Sequence, residues 1–430
     1  MPAGRREPIP AQVWIVLATT VLGWIVTSLD LQLSAFLAPQ ITRSLGVSST
    51  FVGNAFFVFA VGLSLGALTL GYFSDLWIGR KRAFMYGILG TIVMTGLTGL
   101  AQNGTEFMLF RFLAGVFSGA EWVGGLAILS EVAPQRHRSI MLGATQGGVG
   151  VGYGLANLFA ATFAAPGATA VGWRLAYWAS FGFAAVTYVV RLKVEETEQW
   201  RRLMAARAAH RRLADVAAST RALFAGRQRR YTLLAIGLFV AIGAPQGTWD
   251  FQYPAWYQST GMGGLALTYA YEVAIALSVV AAGWFMDRVS SRWIMPAVWL
   301  AVPLSAVIWL YPRAGGAAGQ AVLLFLVGFW RNPVWAIVAA YLPVMFPTRL
   351  RGTGMGITWV AGWLLGYTLS ALWGTQLHAA GWGPWWIVQL ILLALMPLVM
   401  IFAGVETQGR RLDFQEEDPA DARTSATAGR

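Results

Sequence analysis

Asp30, Arg111, Glu121, Asp250, Glu272 and Arg331 stand inside long apolar stretches. In a membrane, a charge at mid-helix costs at least about 2.5–3.5 kcal/mol on insertion scales. Such residues are retained for chemistry or for pairing. An arginine stays charged and offers a planar fork to a carboxylate. Arg331 is therefore the candidate ligand for an anion, with Asn332 beside it and Pro333 freeing a backbone carbonyl. Asp250, Trp249 and Arg111 complete the candidate binding set. A carboxyl group partly out of water is disfavoured in its charged form, so it can load a proton on one side and release it on the other. Glu121 is the first candidate for that role and Asp30 the second. Ala120, Trp122 and Val123 beside Glu121 bring no cation, and Arg111 is about 15 Å away along a helix. The competing reading makes Asp30, Arg111 and Glu121 buried partners of other helices, and pairs Arg331 with Asp250 or Asp30.

The elements that must position these groups are membrane helices. The chain has 430 residues, 57% hydrophobic and 12% charged, with a mean hydropathy of +0.57. So few charges cannot solvate the surface of a soluble domain. Apolar stretches of spanning length fall at about 12–38, 50–74, 83–102, 106–130, 139–163 and 172–191, then at about 232–256, 265–286, 293–312, 319–344, 354–378 and 384–404. The expected fold is an all-α integral membrane protein of twelve transmembrane helices. Its units are a six-helix bundle over 1–191, a basic linker over 192–230, a second bundle over 231–407 and a polar tail over 408–430. The first stretch reads as an uncleaved span, too long for a signal peptide and without a cleavage site. Trp200, Leu203, Leu213 and Val216 would give the linker an apolar stripe on the inner leaflet; the competing reading is a solvated interdomain linker kept basic by topology.

The net charge of +12 has its explanation in topology. With the N-terminus inside, the inner loops collect Arg80, Lys81, Arg82, Arg136, Arg138, Arg288, Arg292, Arg349, Arg351 and the linker. Both termini are expected in the cytoplasm, and no nucleic acid partner is needed. There is no cysteine, which excludes disulfides and thiol chemistry. His137, His210 and His378 do not cluster like metal ligands, so no metal or cofactor is expected. "GVGVGYG" (148–154) lies inside a span, where close helix packing explains it. No Gly-x-x-x-x-Gly-Lys-Ser/Thr motif is present, hence no ATP motor.

The two halves repeat. "RFLAGVFSGAEW" (111–122) lies over "LFLVGFWRNPVW" (324–335) at an offset of 213, which also places Pro134 on Pro347 and Arg138 on Arg351. "GYFSD" (71–75) lies over "GWFMD" (283–287), and "VEET" (194–197) resembles "GVET" (404–407). Such duplication is how many secondary transporters are built. "GYFSDLWIGRKR" (71–82) resembles the signature loop of the major facilitator superfamily, with one extra residue between Asp75 and Gly79 and with Leu76 replacing a base. The second copy, "GWFMDRVSSR" (283–292), keeps Gly283, Asp287, Arg288 and Arg292 but has Ser290 at the glycine position. "SGAEW" (118–122), "GWRLAYW" (172–178), "RLKVEETEQW" (191–200) and "YLPVMFPTRLRGTGMG" (341–356) are similar to the sialate:proton symporter group, which includes sialic-acid and lactate/pyruvate permeases. Gln246 and Val344 depart from it.

The resemblance implies a central cavity lined by the first, fourth, seventh and tenth spans, which carry Asp30, Arg111 with Glu121, Asp250 and Arg331. It also implies an inner gate built from Gly71, Asp75, Gly79, Arg80, Lys81, Glu131, Arg138 and the second copy's residues. The expected function is a proton-coupled symporter, not an enzyme, importing a small organic anion such as a monocarboxylate or a sialate-like acid. Its partners would be that anion, protons and the lipid of the cell inner membrane, and the protein would be monomeric. The rivals are a proton-driven exporter of drugs or metabolites in the same fold, and a non-transporting membrane sensor.

Overall fold

The computed structural model describes residues 9–402 except 164–170, 207–213, 262–264, 290–293, 369–372, 374–375 and 378. Among these, all regular structure is helical. The first half contains α1 (Ala11–Phe36), α2 (Ala38–Leu45), α3 (Ser49–Phe73), α4 (Arg80–Thr98), α5 (Gly104–Val132), α6 (Arg138–Phe163) and α7 (Gly172–Arg191). Two short helices, α8 (Glu198–Ala206) and α9 (Ala214–Leu223), follow. The second half contains α10 (Gly226–Ser259), α11 (Leu265–Met286), α12 (Ile294–Val298), α13 (Ala301–Leu310), α14 (Gly316–Arg331), α15 (Pro333–Met345), α16 (Arg351–Ala361) and α17 (Trp382–Phe402). The ninth span is α12 with α13, and the tenth is α14 with α15. The eleventh is α16 with the π-helical Gly362–Thr368. The twelve-span, two-half architecture is the one the hydropathy pattern dictates. Side chains such as Val186, Val189 and Leu310 stay exposed on its outside, where lipid rather than water is the solvent.

Small residues set the helix spacing. A methyl group on Gly115 would strike the Phe59 carbonyl, and one on Gly119 the Leu63 carbonyl. From the other side, Gly62 and Gly66 meet the carbonyls of Phe112 and Val116. The second and fourth spans thus lie backbone on backbone, as the Gly115-xxx-Gly119 spacing leads one to expect. The glycine run at 148–154 divides between two neighbours. Gly148 and Gly152 pack on α1, while Gly150 and Gly154 face Glu272 and its surroundings on α11. Since α6 and α11 belong to different halves, this run forms part of the seam between them.

Span ten is broken where the sequence places Pro333. α14 ends at Arg331 and α15 begins at Pro333, because proline cannot donate to the preceding turn. Asn332 turns back, and its Nδ2 donates to Gly328 O at 2.8 Å. The guanidinium of Arg331 therefore sits at a helix C-terminus, where the dipole favours a cation. Of the linker's apolar positions, the side chains of Leu203 and Val216 are not described, and Trp200 packs inward. Trp200 contacts Gly79 and donates from Nε1 to Ser74 O at 3.1 Å; Leu213 and the tail from 408 lie outside the described residues.

Candidate functional site

A cavity lies between the halves. Trp24, Thr27, Ser28, Gln146 and Tyr153 face it from the first half, and Asp250, Asn332, Trp335, Trp359, Trp363 and Tyr367 from the second. The lining comes from spans one, two and five and from spans seven, eight, ten and eleven. Span four supplies no lining side chain. Its Trp122 lies just behind, with its ring centroid 3.8 Å from that of Trp359 and 6.1 Å from that of Trp24. Trp359, Trp363 and Tyr367 recur every fourth residue. The π-helical turn over Gly362–Thr368 widens the helix there and leaves Trp363 and Tyr367 in the same wall. Trp249, Tyr253, Trp256 and Tyr257 do not line the cavity; they join Trp385 and Trp386 in an aromatic core that adjoins it through Tyr153.

The intramembrane charges sort into distinct environments. Asp250 is the carboxylate in the cavity wall, and its oxygens accept from Tyr367 Oη at 3.1 Å and Tyr271 Oη at 3.4 Å. Arg331 is fully buried behind that wall. Its Nε donates to Gln246 Oε1 at 2.9 Å, another nitrogen bonds the Pro245 carbonyl, and Nη1 has no hydrogen-bond partner. Its carbon Cζ lies 5.1 Å from the centroid of Trp249. Arg331 forms no ion pair with Asp250 or Asp30 among the described contacts, although Asp250 lies within its electrostatic reach. The alternative of a direct pair is thereby corrected.

Two further expectations need correction. Arg111 donates from Nη1 to Asp30 Oδ2 at 2.6 Å, and Thr95 donates to the other oxygen at 3.0 Å. Both charges are fully buried and neither lines the cavity. Glu121 was expected to look into the cavity with no cation nearby. It meets Arg191 at 2.5 Å, and Arg191 is pinned further by the carbonyls of Phe84 and Thr19. The cation comes from the end of span six, far from Glu121 in sequence. Breaking such a pair leaves the survivor as an uncompensated buried charge, at about 3–5 kcal/mol. Glu121→Gln should therefore lower the thermal stability of the purified protein markedly, and adding Arg191→Met should recover much of it. An unchanged melting temperature in the single variant would contradict the pairing.

The residues expected to form the inner gate make contacts across the halves. Asp75 accepts from Gly352 N at 3.2 Å, Thr353 N at 2.8 Å and Thr353 Oγ1 at 3.1 Å, capping the start of α16 where a helix favours an anion. Asp287 does the same for α6, accepting from Ser139 N and Ile140 N, each at 2.9 Å. Arg80 donates to Asp75 at 3.1 Å and Thr348 O at 3.0 Å and forms an ion pair with Glu131 at 2.9 Å, and Arg351 donates to Glu131 at 2.7 Å. Glu131, expected to act with Arg138, meets two cations, Arg80 and Arg351, the second being the repeat equivalent of Arg138. Val344 takes the place of Glu131 in the second copy, so the network of charges is one-sided.

The extra residue between Asp75 and Gly79 is absorbed by a π-helical turn over Ser74–Ile78. Gly79 then has φ +86°, a conformation that favours glycine, and a side chain there would also meet Glu196 and Trp200. Glu196 accepts from Lys81 N at 3.1 Å, and Thr197 Oγ1 donates to Glu131 at 2.6 Å. Burial pushes the Glu196 carboxyl above its ordinary range, opposed by the Lys81 backbone N–H. Arg288 folds back on Trp284. Gly71 meets the Gly352 carbonyl and Gly283 the Ser139 carbonyl, while Arg292 lies outside the described residues. Among the described residues no group of three or more His, Cys, Asp or Glu could hold a metal.

A family model described as the Major Facilitator Superfamily matches residues 20–362. The chain is 27% identical over 364 residues to a probable 4-methylmuconolactone transporter of Cupriavidus pinatubonensis, covering 80% of this chain and 79% of that one. It is 24% identical over 388 residues to a gallate transporter of Pseudomonas putida, covering 83% of each. The solved proton:xylose symporter XylE, bound to 6-bromo-6-deoxy-D-glucose, superposes with a TM-score of 0.73 at 18% identity. That match covers 94% of this chain and 98% of the other, and it supports the fold alone. None of these relatives is named for a sialic acid or a lactate.

Proposed function

The chain belongs to the major facilitator superfamily, and from that premise we propose that it is a proton-coupled symporter importing an aromatic or related unsaturated organic acid across the cell inner membrane, with both termini cytoplasmic. The substrate class moves from the monocarboxylate or sialate-like acid first expected toward the acids that its relatives are named for. The observation that carries the proposal is a cavity with four tryptophans and two tyrosines in its wall and Asp250 as its carboxylate. Indole faces bury a flat unsaturated acid well, and Gln146, Asn332, Thr27 and Ser28 offer hydrogen bonds to its oxygens.

Coupling follows from charge. Two carboxylates about 4 Å apart repel by about 4 kcal/mol at an effective dielectric near 20. A substrate anion beside an ionised Asp250 is therefore rejected, and a proton on Asp250 removes the repulsion. It also leaves the field of Arg331 unopposed. Arg331 acts from behind the wall, with its free Nη1 available to a carboxylate that enters deeply. Anion and proton load together, and the halves then rock about the cavity. The ion-paired Asp30 and Glu121 hold the first half together, so the coupling role first given to Glu121 passes to Asp250.

The test is ligand-induced stabilisation together with tryptophan fluorescence on the purified protein. Gallate or benzoate should raise the melting temperature, since a ligand of the folded state stabilises by mass action, and should quench emission. Lactate and sialic acid should do neither. A response to lactate or sialic acid alone would overturn the substrate class. Binding without uptake into proteoliposomes would favour the sensor, and proton-driven efflux the exporter.

A further inference from the structure

Glu272 is the one intramembrane carboxylate among the described residues that neither faces the cavity nor meets a cation. It lies on α11, 2% exposed, against α6 of the other half. A methyl on Gly150 would strike its carbonyl, and one on Gly154 would lie 3.4 Å from its Oε2. The contact sits at the opposite end of the α6–α11 seam from the Asp287–Ser139 bond, hence at the outer gate. Across the seam, Asn157 is the polar side chain acting on the carboxyl group. Glu272 Oε2 and Asn157 Nδ2 are both buried without a hydrogen-bond partner.

The other titratable groups within its reach are Tyr153 of α6, Tyr253 of α10, and Tyr269 on its own helix. Of the remaining helices packed on α11, α14 carries only Arg331, which is turned to Gln246 and Pro245. α15 carries no charged residue.

We propose that Glu272 and Asn157 form a proton-binding site that controls closure of the outer seam, separate from the proton carried with substrate. The inference rests on the alternating-access reading above. A carboxylate sealed in this seam would be an unpaired charge in the membrane interior. The neutral acid fits, because its O–H can donate to Asn157 Oδ1 while Nδ2 donates to its carbonyl oxygen, which uses both orphaned atoms. When α6 and α11 part on the outer side, water reaches the acid, its O–H bond breaks and the proton passes to outer water. Closure returns a proton from the same compartment. The site thus sets the pH range in which the gate can shut, without changing how many protons accompany each substrate.

The test needs no substrate. The chain has no cysteine, so Tyr269→Cys places a single reporter beside the site. Its labelling by an impermeant maleimide in proteoliposomes is compared, at each pH, between otherwise native protein and protein that also carries Glu272→Gln. Taking this ratio cancels the reporter thiol's own titration. The ratio should rise about fivefold between about pH 5.5 and 8.5, as ionised Glu272 holds the seam open. Asn157→Asp, which sets a second carboxyl opposite the first, should move the rise to higher pH, and it carries the test if Glu272→Gln does not fold. A flat ratio and an unmoved profile in Asn157→Asp would make the pair mere packing. Loss of gallate accumulation in Glu272→Gln, with gallate exchange intact, would put Glu272 on the coupling path and overturn the gate role. A native protein that moves no gallate at all would refute the substrate proposal while leaving the labelling result readable.

Discussion

Asp250→Asn is expected to exchange substrate across the membrane at a rate near the native one and to accumulate none. Asparagine fills the same space and keeps partners for Tyr367 and Tyr271, which lie 3.1 and 3.4 Å from the native carboxyl oxygens. It presents a permanently neutral wall, so the anion is admitted without a proton. In native protein with one proton per substrate, a gradient of one pH unit is worth about 1.4 kcal/mol and supports about tenfold accumulation. In the variant that ratio should fall to about one, since nothing ties anion entry to proton entry. The alkaline decline of substrate binding should vanish as well. Retained accumulation would move coupling away from Asp250.

Asp75→Asn should disable the inner gate while substrate binding survives. The carboxylate receives two backbone N–H bonds and a hydroxyl bond from the start of α16, and it pairs with Arg80. Hydrogen bonds to a charged group contribute about 1.5–3 kcal/mol each, and about 1.4 kcal/mol is a factor of ten in population. Weakening this cap should shift the closed gate toward open by about ten- to a hundredfold, and turnover should fall with it. A single reporter at Val344→Cys, buried beside the gate, should become correspondingly more reactive to a permeant maleimide. The Asp287→Asn change should matter less, because the second copy has Val344 where the first has Glu131 and so lacks the linked arginines. Equal effects would contradict this asymmetry.

The helices, the duplicated halves and the loop over 71–82 were legible because each is written in local pattern: apolar length, an offset of 213 and the Asp75–Arg80 run. The glycine faces were legible for the same reason. The partners of buried charges were not. Arg191 reaches Glu121, and Arg111 reaches Asp30, through the rotation and register of neighbouring helices, which no single segment specifies. The extra residue before Gly79 was visible as a departure, but not its outcome as a π-helical turn. In the cavity, the four-residue stripe of Trp359, Trp363 and Tyr367 was within reach of sequence reading. Trp24, Gln146 and Tyr153 gave no signal apart from other apolar or small-residue positions.

Whether proton and aromatic acid move together is measured most directly by recording both at once. Proteoliposomes in weakly buffered medium, without a pH gradient, are given gallate on the outside while external pH and labelled gallate entry are followed. The account predicts that the medium turns alkaline in step with gallate entry, one proton for each anion, and that Asp250→Asn admits gallate with no pH change. Gallate entry through the native protein with no movement of protons would contradict it.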